Sequence, residues 1–420
     1  MKFAHLSDIH LGFQKNKSLQ EIEQQVFENI LDDCISRQVN FILIPGDMFH
    51  VNIPEMRVQK YAFAKFKQVH DAGIPVYVVY GSHDFSPISN SVIDLLSEIG
   101  YLKKVTIPKS NEGGTISLDF IIDQKTGVKL VGLPGLKVGR DREYYEKLDR
   151  SNFEDESGFK IFLFHGGIAD MKTDTSMDGD LMPLSLLPKG FHYYAGGHMH
   201  KFNHQTFDDY PHVVYPGTPF AGYHSDLEDN AKGMKRGYVL VDFDSNVNSV
   251  ELIPIKNTQY EIIEIDAHNK KPESVNAELN EKTREIDVSN KVVIIKVHGE
   301  LMSGKTSDVD ISSIKDRMSE SGSLVVNISK NQLTSKEFLI TEAKGLTKDE
   351  IEKNVFHTNI GECENKFKEK YLEGEQGEKC ALDLLKAISI PKVEGENTVP
   401  YDIRIKKDAL FVLGVNEDDS

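Results

Sequence analysis

Cysteine is scarce in this chain of 420 residues, and its scarcity argues against two kinds of structure. The three cysteines are Cys34, Cys363 and Cys380, and no two of them form a C-x-x-C pair. Neither a disulfide framework nor a thiolate zinc site is therefore indicated, because both need closely spaced or paired thiols. Such sparse cysteine usage is typical of a protein from a reducing compartment.

Long hydrophobic runs are also missing. No stretch of the sequence approaches the roughly 20 apolar residues that a transmembrane helix requires. The opening MKFAHLSDIH places Asp8 and His10 where the apolar region of a signal peptide would lie. We therefore expect an intracellular protein without membrane association. A composition of 39% hydrophobic and 27% charged residues is that of a globular protein, and the length predicts about two to four domains.

Positive charge is in deficit, and the formal net charge is −17. A protein that holds DNA by neutralising phosphates needs Lys and Arg on its binding face. An acidic chain repels polyanions unless its charges are segregated or bound metal ions reverse the local sign. Four small basic clusters permit a nucleic-acid face without demonstrating one. They are Lys15 with Lys17; Lys103 with Lys104; Lys137 with Arg140 and Arg142; and Lys232 with Lys235 and Arg236.

The first part of the chain alternates short apolar runs with helical patterns. We predict buried strands over residues 41–44, 76–80, 129–133, 160–164 and 212–215. Helical spacing predicts a helix over residues 18–35, with Ser18 and Glu21 as a capping box, and another over residues 59–71. Strands that alternate with helices indicate a layered α/β domain, which we place at residues 1–256.

The character of the sequence changes near residue 257. The runs YEIIEID, KVVIIKVHGEL and SLVVNIS predict strands of a smaller α+β domain over residues 257–335. Residues 336–420 are highly charged and mostly helical in pattern. Within them, an apolar stripe in a charged background predicts a partner-binding helix, although a helix packed on its own domain is nearly as probable. The stripe is Phe367, Tyr371, Leu372, Leu382, Leu385 and Ile388.

Five short motifs carry the polar residues of greatest chemical interest, and each follows an apolar run. They are SDIH (Asp8, His10), PGDMFH (Asp47, His50), YGSHD (Ser82, His83, Asp84), FHGG (His165) and GGHMH (His198, His200). Ligands bind at the carboxyl ends of strands in open α/β sheets, and glycine lets the chain turn sharply there. We therefore expect these side chains to meet at one place.

The residue types in these motifs suit a pair of divalent metal ions. Asp and His are ligands for Mn, Fe or Zn, and no thiolate is nearby in the sequence. Two such ions can clamp a phosphate and generate a hydroxide nucleophile. We assign Asp47 as the carboxylate that bridges the ions, and His83 as the residue that protonates the leaving group. His224, in the Gly-rich loop FAGYHSD, is left without a role.

The order D-x-H, G-D, G-(N)-H-D, H and G-H-x-H resembles the signature of the calcineurin-like metallophosphoesterases. Within that group, the segments MKFAHLSDIHLG, FILIPGDMFH and VVYPGTPF are similar to the double-strand-break repair nucleases of the meiotic-recombination-eleven/SbcD family, in a prokaryotic form such as those of archaea. The resemblance covers residues 1–255 well and the second domain loosely. It extends to the tail only in general character.

This resemblance implies a fold and an activity. The fold is a two-sheet α/β sandwich flanked by helices, with a smaller α+β cap domain and a helical C-terminal tail. The activity is that of a manganese-dependent DNA exo- and endonuclease. The implied partners are DNA, an SMC-like coiled-coil ATPase of the SbcC type that binds the C-terminal helices, and a second copy of the chain. The implied location is the cytoplasm, in association with the nucleoid.

The resemblance also implies roles for nine residues. One metal ion would be held by Asp8, His10, Asp47 and His200, and the other by Asp47, Ser82, His165 and His198. His83 matches the family's catalytic histidine, and His50 matches a second histidine linked to exonuclease action. Ser82 departs from the pattern, because the family has Asn at this position. A serine hydroxyl has a shorter arm than an amide oxygen, so Ser82 is expected to coordinate weakly or through a water molecule.

Two other functions are compatible with the sequence. A small-molecule phosphoesterase of the same superfamily fits the net charge of −17 slightly better than a DNA nuclease does. A scaffold that binds metal with weak turnover has Ser82 as its only support. His50, the expected cap domain and the long helical tail favour the nuclease.

Overall fold

The computed structural model describes residues 1–85, 91–106, 108–110, 114–135, 141–151, 154–171, 181–284, 286–335, 347, 350, 352–353, 356, 374–392 and 398–413. The chain divides into two compact units. The first comprises Met1–His268, Pro272–Gly299 and Ser307–Leu333, and the second comprises Asn269–Lys271, Glu300–Thr306 and Thr334–Ser420. The domain limits predicted at residues 256 and 335 stay a prediction.

The first unit contains two six-stranded sheets. The strands of one sheet follow the order β14 (Val247–Pro254), β13 (Gly237–Phe243), β1 (Lys2–His5), β2 (Phe41–Pro45), β3 (Val76–Val79) and β4 (Lys103–Lys104). Strands β1 to β4 are parallel to one another, whereas β13 runs antiparallel to β1 and β14 antiparallel to β13. The carboxyl ends of β1, β2 and β3 therefore lie at one edge of this sheet.

The second sheet follows the order β11 (Asn203–Phe207), β12 (Tyr210–Tyr215), β10 (Tyr193–Gly197), β9 (Lys160–His165), β8 (Lys129–Leu133) and β7 (Ile121–Ile122). Its four central strands, β12, β10, β9 and β8, are parallel. A separate hairpin pairs β5 (Pro108–Ser110) with β6 (Ile116–Leu118). The predicted two-sheet α/β sandwich is confirmed.

One hydrophobic core joins the two sheets, which explains why their central strands read as continuous apolar runs. Phe3, Phe41 and Leu43 of the first sheet cluster with Leu163 and Tyr193 of the second, and all five are fully buried. The ring of Phe3 stacks on that of Phe41 at 5.1 Å between centroids and meets Tyr193 edge-on, also at 5.1 Å. This packing holds the ends of β1, β2, β9 and β10 beside one another.

Helices cover the outer face of the first sheet. Helices α1 (Lys17–Ser36) and α2 (Met56–Asp71) contribute Phe27, Ile30 and Phe66 to a core that also contains Ile42 and Val78 of the strands. The remaining helices before residue 257 are α3 (Val92–Glu98), α4 (Asp141–Glu146) and α5 (His224–Ala231). Short 3₁₀ turns occur at Ala169–Met171 and Leu184–Leu186.

The predicted cap of helix α1 is wrong. The helix begins at Lys17, and Asn16 is the N-cap, with its side chain accepting hydrogen bonds from the backbone nitrogens of Ser18 (2.9 Å) and Leu19 (3.3 Å). Asn is at least as good an N-cap as Ser. Ser18 is therefore drawn into the first turn, and no capping box with Glu21 forms.

Residues after 257 form a small three-stranded sheet with two helices. The strand order is β15 (Gln259–Asp266), β16 (Lys291–Leu301) and β17 (Val325–Ser335), and the helices are α6 (Pro272–Arg284) and α7 (Ser312–Glu320). Within the first unit, strand β15 packs against α5: Asn230 donates to the Tyr260 hydroxyl at 3.2 Å. Lys296 of β16 pairs with Glu228 of α5 at 3.3 Å.

The second unit contains helices α8 (Gly374–Ile388) and α9 (Thr398–Val412), which pack against each other. Of the predicted apolar stripe, Phe367, Tyr371 and Leu372 lie outside the described residues. Leu382 and Leu385 are half-buried in α8, and Ile388 is exposed. No helix among the described residues is both long and apolar enough to cross a membrane.

Candidate metal centre

The structure brings all nine predicted side chains to one place, at the carboxyl ends of five strands. The segments after β1, β2 and β3 come from the first sheet, and those after β9 and β10 come from the second. The residues are Asp8 and His10, Asp47 and His50, Ser82 and His83, His165, and His198 and His200. The individual roles of these residues stay predictions, and the contacts of each side chain are described below.

Asp47 lies at the middle of the cluster. Its Oδ2 atom is 3.3 Å from Nε2 of His165 and 3.8 Å from Nε2 of His10. Its other oxygen accepts a hydrogen bond from the backbone nitrogen of His83 at 2.8 Å. One buried carboxylate oxygen therefore faces two imidazole nitrogens from different sheets, which is the arrangement that a bridging ligand needs.

The cluster contains three overlapping groups whose potential ligand atoms lie within 4.8 Å of one another. Two groups share Asp8, one with His10 and His200 and the other with Asp47 and His165. Asp8 is fully buried and is held by hydrogen bonds from Ser7 Oγ (2.6 Å) and from the backbone nitrogen of His198 (2.9 Å). The third group is His10, His50 and His83.

His165 is held as a ligand-ready imidazole. Its Nδ1 donates to the carbonyl of Pro45 at 3.0 Å, so Nε2, 3.3 Å from Oδ2 of Asp47, is the nitrogen that can hold a proton or a metal ion. Burial opposes protonation of this ring, but the Asp47 carboxylate outweighs burial and raises the pKa of His165 to about 10. The region between Nε2 of His165 and Oδ2 of Asp47 therefore stabilises a positive charge, which is what a cation site requires.

His200 and His10 form a second such pair. The Nδ1 atom of His200 donates to Asp226 at 2.8 Å, so Nε2 carries a lone pair, and this atom is 3.2 Å from Nε2 of His10. Two imidazole lone pairs repel at this distance unless a proton or a metal ion lies between them. The donor set on both sides of Asp47 therefore fits divalent cations.

Asp226 is a site residue that the sequence analysis missed. Its Oδ2 also accepts from the backbone nitrogens of Gly222 (3.0 Å) and Tyr223 (2.8 Å), and its Oδ1 is 3.1 Å from the guanidinium of Arg236. Burial alone would raise its pKa, but hydrogen bonding to His200 and the Arg236 charge lower it. The loop FAGYHSD was noticed in the sequence, yet nothing in the motif pairs its Asp with His200, 26 residues earlier.

The backbone is strained at the metal centre. Asp8, His10, Asp47 and His198 have positive φ angles of 52°, 51°, 49° and 98°. Non-glycine residues rarely adopt this region, and each such residue costs about 1–3 kcal/mol. At Gly222 a Cβ atom would lie only 2.4 Å from Cδ2 of His10, so this position requires glycine. Backbone strain that is concentrated in the predicted ligand residues is typical of a functional site.

His83 and His50 lie beside the ligands. Nδ1 of His83 donates to the carbonyl of His50 at 2.7 Å, which leaves its Nε2 free for proton transfer. The His83 ring is 4.8 Å from that of His10 and 5.0 Å from that of His50. His83 is thus within reach of the centre, while its other nitrogen is fixed by the backbone.

Asp84, quoted in the motif GSHD without a role, connects two of the motif loops. It is fully buried and accepts hydrogen bonds from the backbone nitrogens of Met48 (3.1 Å), Phe49 (2.9 Å) and Gly81 (3.2 Å). Burial, with a smaller contribution from the charge of Asp47, raises the pKa of Asp84 to about 7. Asp84 therefore positions the loops that present Asp47, His50 and His83.

Ser82 and His198 are the least constrained of the predicted ligands. Ser82 Oγ lies 3.4 Å from Oδ2 of Asp47, at the long limit of a hydrogen bond. His198 is exposed, and its ring lies 5.4 Å from that of His165. Among the described residues, His198 joins none of the three close groups of potential ligands.

Part of the chain matches a known protein family, and longer stretches are similar to individual proteins. Residues 1–202 match the family of calcineurin-like phosphoesterases. The DNA double-strand break repair protein Mre11 of Saccharolobus solfataricus is 28% identical over 311 residues, which cover 72% of this chain and 76% of that protein. The protein of the same name from Methanocaldococcus jannaschii is 28% identical over 308 residues, covering 70% and 75%.

A solved structure, a dimetal phosphatase from Danio rerio, is similar with a TM-score of 0.38 and 9% identity, covering 60% of this chain and 97% of that one. The resemblance inferred from the five motifs is confirmed by the family match.

Proposed function

We propose, from the premise that residues 1–202 form a calcineurin-like phosphoesterase domain, that this chain is a manganese-dependent DNA exo- and endonuclease of double-strand-break repair. The observation that carries the proposal is the position of Asp47, whose Oδ2 lies between the imidazole nitrogens of His10 and His165. The similarity to Mre11 proteins, which act in DNA double-strand break repair, supports DNA as the substrate.

The donor set divides around Asp47. Asp8, His10, Asp47 and His200 would hold one divalent ion, and Asp47, Ser82, His165 and His198 would hold the other. Two such ions, when bound, clamp the phosphodiester, supply a hydroxide nucleophile and stabilise the leaving oxygen. Carboxylate, imidazole and hydroxyl donors without a thiolate suit manganese.

The chain's own proton chemistry belongs to His83. Because its Nδ1 is held by the carbonyl of His50, a proton can be gained or lost only at Nε2. That atom gives its proton to the leaving oxygen as the phosphodiester bond breaks. His50 positions the His83 ring through its carbonyl and by ring contact, at 5.0 Å between centroids.

Charge favours a second candidate, a small-molecule phosphoesterase. Five of the eight described basic residues in the four clusters are neutralised or enclosed, and one of the five is Lys17, which pairs with Glu21. Lys104 pairs with Asp94, Arg142 with Glu146, Lys232 with Glu264, and Arg236 is buried against Asp226. Lys137 and Arg140 lie outside the described residues. Lys15 is exposed beside the centre. Of the residues that the structure describes, few therefore offer a DNA phosphate fixed positive charge there.

The second unit supports a partner. Ile403 and Phe411 of α9 are 62% and 85% exposed, which leaves large apolar side chains of this helix available to a partner. We propose that these residues bind the coiled coil of an SMC-like ATPase of the SbcC type. A homodimer and a location at the nucleoid belong to the same proposal.

Digestion of duplex DNA in manganese, with and without the ATPase, tests the function. A small phosphodiester, bis(p-nitrophenyl) phosphate, is the parallel substrate. Cleavage of DNA by the wild-type chain supports the nuclease, whereas cleavage of the small ester alone supports the second candidate. Turnover of neither leaves a metal-binding scaffold. Phe411→Asp should abolish stimulation by the ATPase while basal cleavage continues, since this side chain is in the second unit.

A further inference from the structure

A cavity of ≈ 450 Å³ lies beside His50 at the margin of the metal centre. None of the roles proposed above uses it, and its volume is in the range of about 300–1,000 Å³ that is usual for small-ligand pockets. It lies within the first unit, between the loop after β1, helix α5 and the start of β17. Its lining includes Phe13, Leu19, His224, Leu227, Val326 and Asn327.

The walls of the cavity suit a flat apolar group with a polar edge. The half-buried ring of Phe13 lies 4.9 Å from the ring of His50 and 5.7 Å from that of His224. Leu19 and Leu227 add buried apolar surface. Asn327 adds an amide that can bond the edge of a ligand. Aromatic faces with a few polar groups are the means by which proteins hold single nucleobases.

The cavity adjoins the metal centre at His50. His50 lines it, and the ring of His50 is 5.9 Å from that of the predicted ligand His10 and 5.0 Å from that of His83. A phosphate held at the centre therefore has its neighbouring sugar and base within reach of Phe13. Lys15, an exposed lysine of the same lining, favours a ligand that carries negative charge.

We propose that this cavity binds an unpaired nucleobase attached to the phosphate at the metal centre. The inference rests on the proposed phosphodiesterase function and extends it. The substrate it selects is a nucleotide whose base has left the helical stack, because a base between Phe13 and strand β17 cannot remain paired or stacked on its neighbours. Frayed and single-stranded ends are the substrates that offer such a base.

Equilibrium binding tests the pocket without relying on turnover. Calorimetry on the full chain in manganese compares thymidine 5′-monophosphate with 2-deoxyribose 5-phosphate, which lacks the base. The wild-type chain should bind the nucleotide at least about tenfold more tightly, since stacking on an aromatic side chain provides that much. Phe13→Leu keeps the apolar bulk but removes the aromatic face, and should bring this ratio close to one. Phe13→Tyr should preserve it.

A second variant changes a residue in a different wall of the cavity. Val325→Phe, at the start of β17, places a larger side chain in the wall of the cavity and should also lower the ratio. Val250→Phe is the matched control, because Val250 is half-buried like Val325 but lies on the edge strand β14. Circular dichroism verifies that each variant is folded.

The outcomes separate this inference from the proposed function. The nucleobase pocket is overturned if the wild-type chain binds thymidine 5′-monophosphate and 2-deoxyribose 5-phosphate equally tightly, or binds neither. This holds even if the chain cleaves DNA. The pocket is also overturned if the preference for the nucleotide over the sugar phosphate is unchanged in both Phe13→Leu and Val325→Phe. Selective binding of the nucleotide by a chain that cleaves no DNA supports the pocket and removes the nuclease proposal, leaving a small-molecule phosphoesterase.

Discussion

The two halves of the metal centre share Asp47 but are built differently. In the half formed with Asp8, His10 and His200, the His200 ring is fixed by Asp226, which is itself fixed by Arg236. The other half has one well-fixed imidazole, His165, bonded to the carbonyl of Pro45, while Ser82 and His198 are loosely placed.

The difference between the halves lies in the groups that hold the ligands in place, and these groups affect metal affinity. Partners behind a ligand orient it and raise its basicity, and their loss typically costs about 10–100-fold in affinity or activity. The Asp226–His200 half has a charged partner of this kind, whereas in the Ser82–His198 half the partner found behind His165, among the residues that the structure describes, is a backbone carbonyl. We therefore expect one tight and one weak metal ion.

Asp47→Ala should have the largest effect, because it removes the ligand common to both halves. We expect loss of both metal ions under conditions that load the wild-type chain, and no measurable hydrolysis. Manganese stoichiometry by calorimetry and a phosphodiester assay measure the two effects. Asp71→Ala is the matched control, since this exposed carboxylate only pairs with Lys67 on helix α2. Full activity in Asp47→Ala would overturn the site.

His83→Ala should separate chemistry from metal binding. The side chain is expected to transfer a proton without coordinating, so both ions should still bind while cleavage slows by about 10²–10⁴-fold. Comparison of manganese isotherms with single-turnover rates measures this. If His83→Ala releases the metal ions as well, the residue is a ligand and the division of roles is wrong.

Asp226→Asn should convert the tight half into a weaker one. The amide cannot supply the charge that supports His200, so affinity for the first ion should fall by about 10–100-fold. The affinity of the second ion should change little. Because Arg236 loses a buried partner, thermal unfolding must be measured in parallel. Equal weakening of both ions would contradict the assignment of Asp226 to one half.

Much of the fold followed from the sequence, because buried parallel strands are continuous apolar runs that end at glycine or a polar motif. The strand predicted at residues 129–133 is found at Lys129–Leu133, and that predicted at 160–164 continues one residue further to His165. The cap of α1 was missed because Asn16 and Ser18 are both good N-caps two residues apart, and local preference does not decide between them.

The ligands of the centre were predictable, but their supports were not. Each predicted ligand lies at the end of a strand or within a few residues after it, so its position is set by local sequence. Asp226 reaches His200 only because α5 folds back against the end of β10, and Asp84 bonds to the β2 loop across 35 and 36 residues. Such contacts depend on tertiary packing, which a motif does not encode.

Ser82→Asn should have the smallest effect, and it acts on the weak half. An amide oxygen on an arm one atom longer can reach an ion that the hydroxyl, 3.4 Å from Asp47 Oδ2, meets poorly. The variant should lower the manganese concentration for half-maximal cleavage, and a gain of about 1.4 kcal/mol would make the change tenfold.

Ser82→Ala completes the test of the weak half. If the serine oxygen coordinates, alanine should weaken the second ion further. If a water molecule completes the shell, alanine should be neutral, and the longer asparagine should displace that water or clash with it. Manganese titrations of the three proteins, with calorimetry for stoichiometry, distinguish these cases. Two ions bound equally tightly by the wild-type chain, with no gain from asparagine, would show that both halves are equally well built and that the comparison fails.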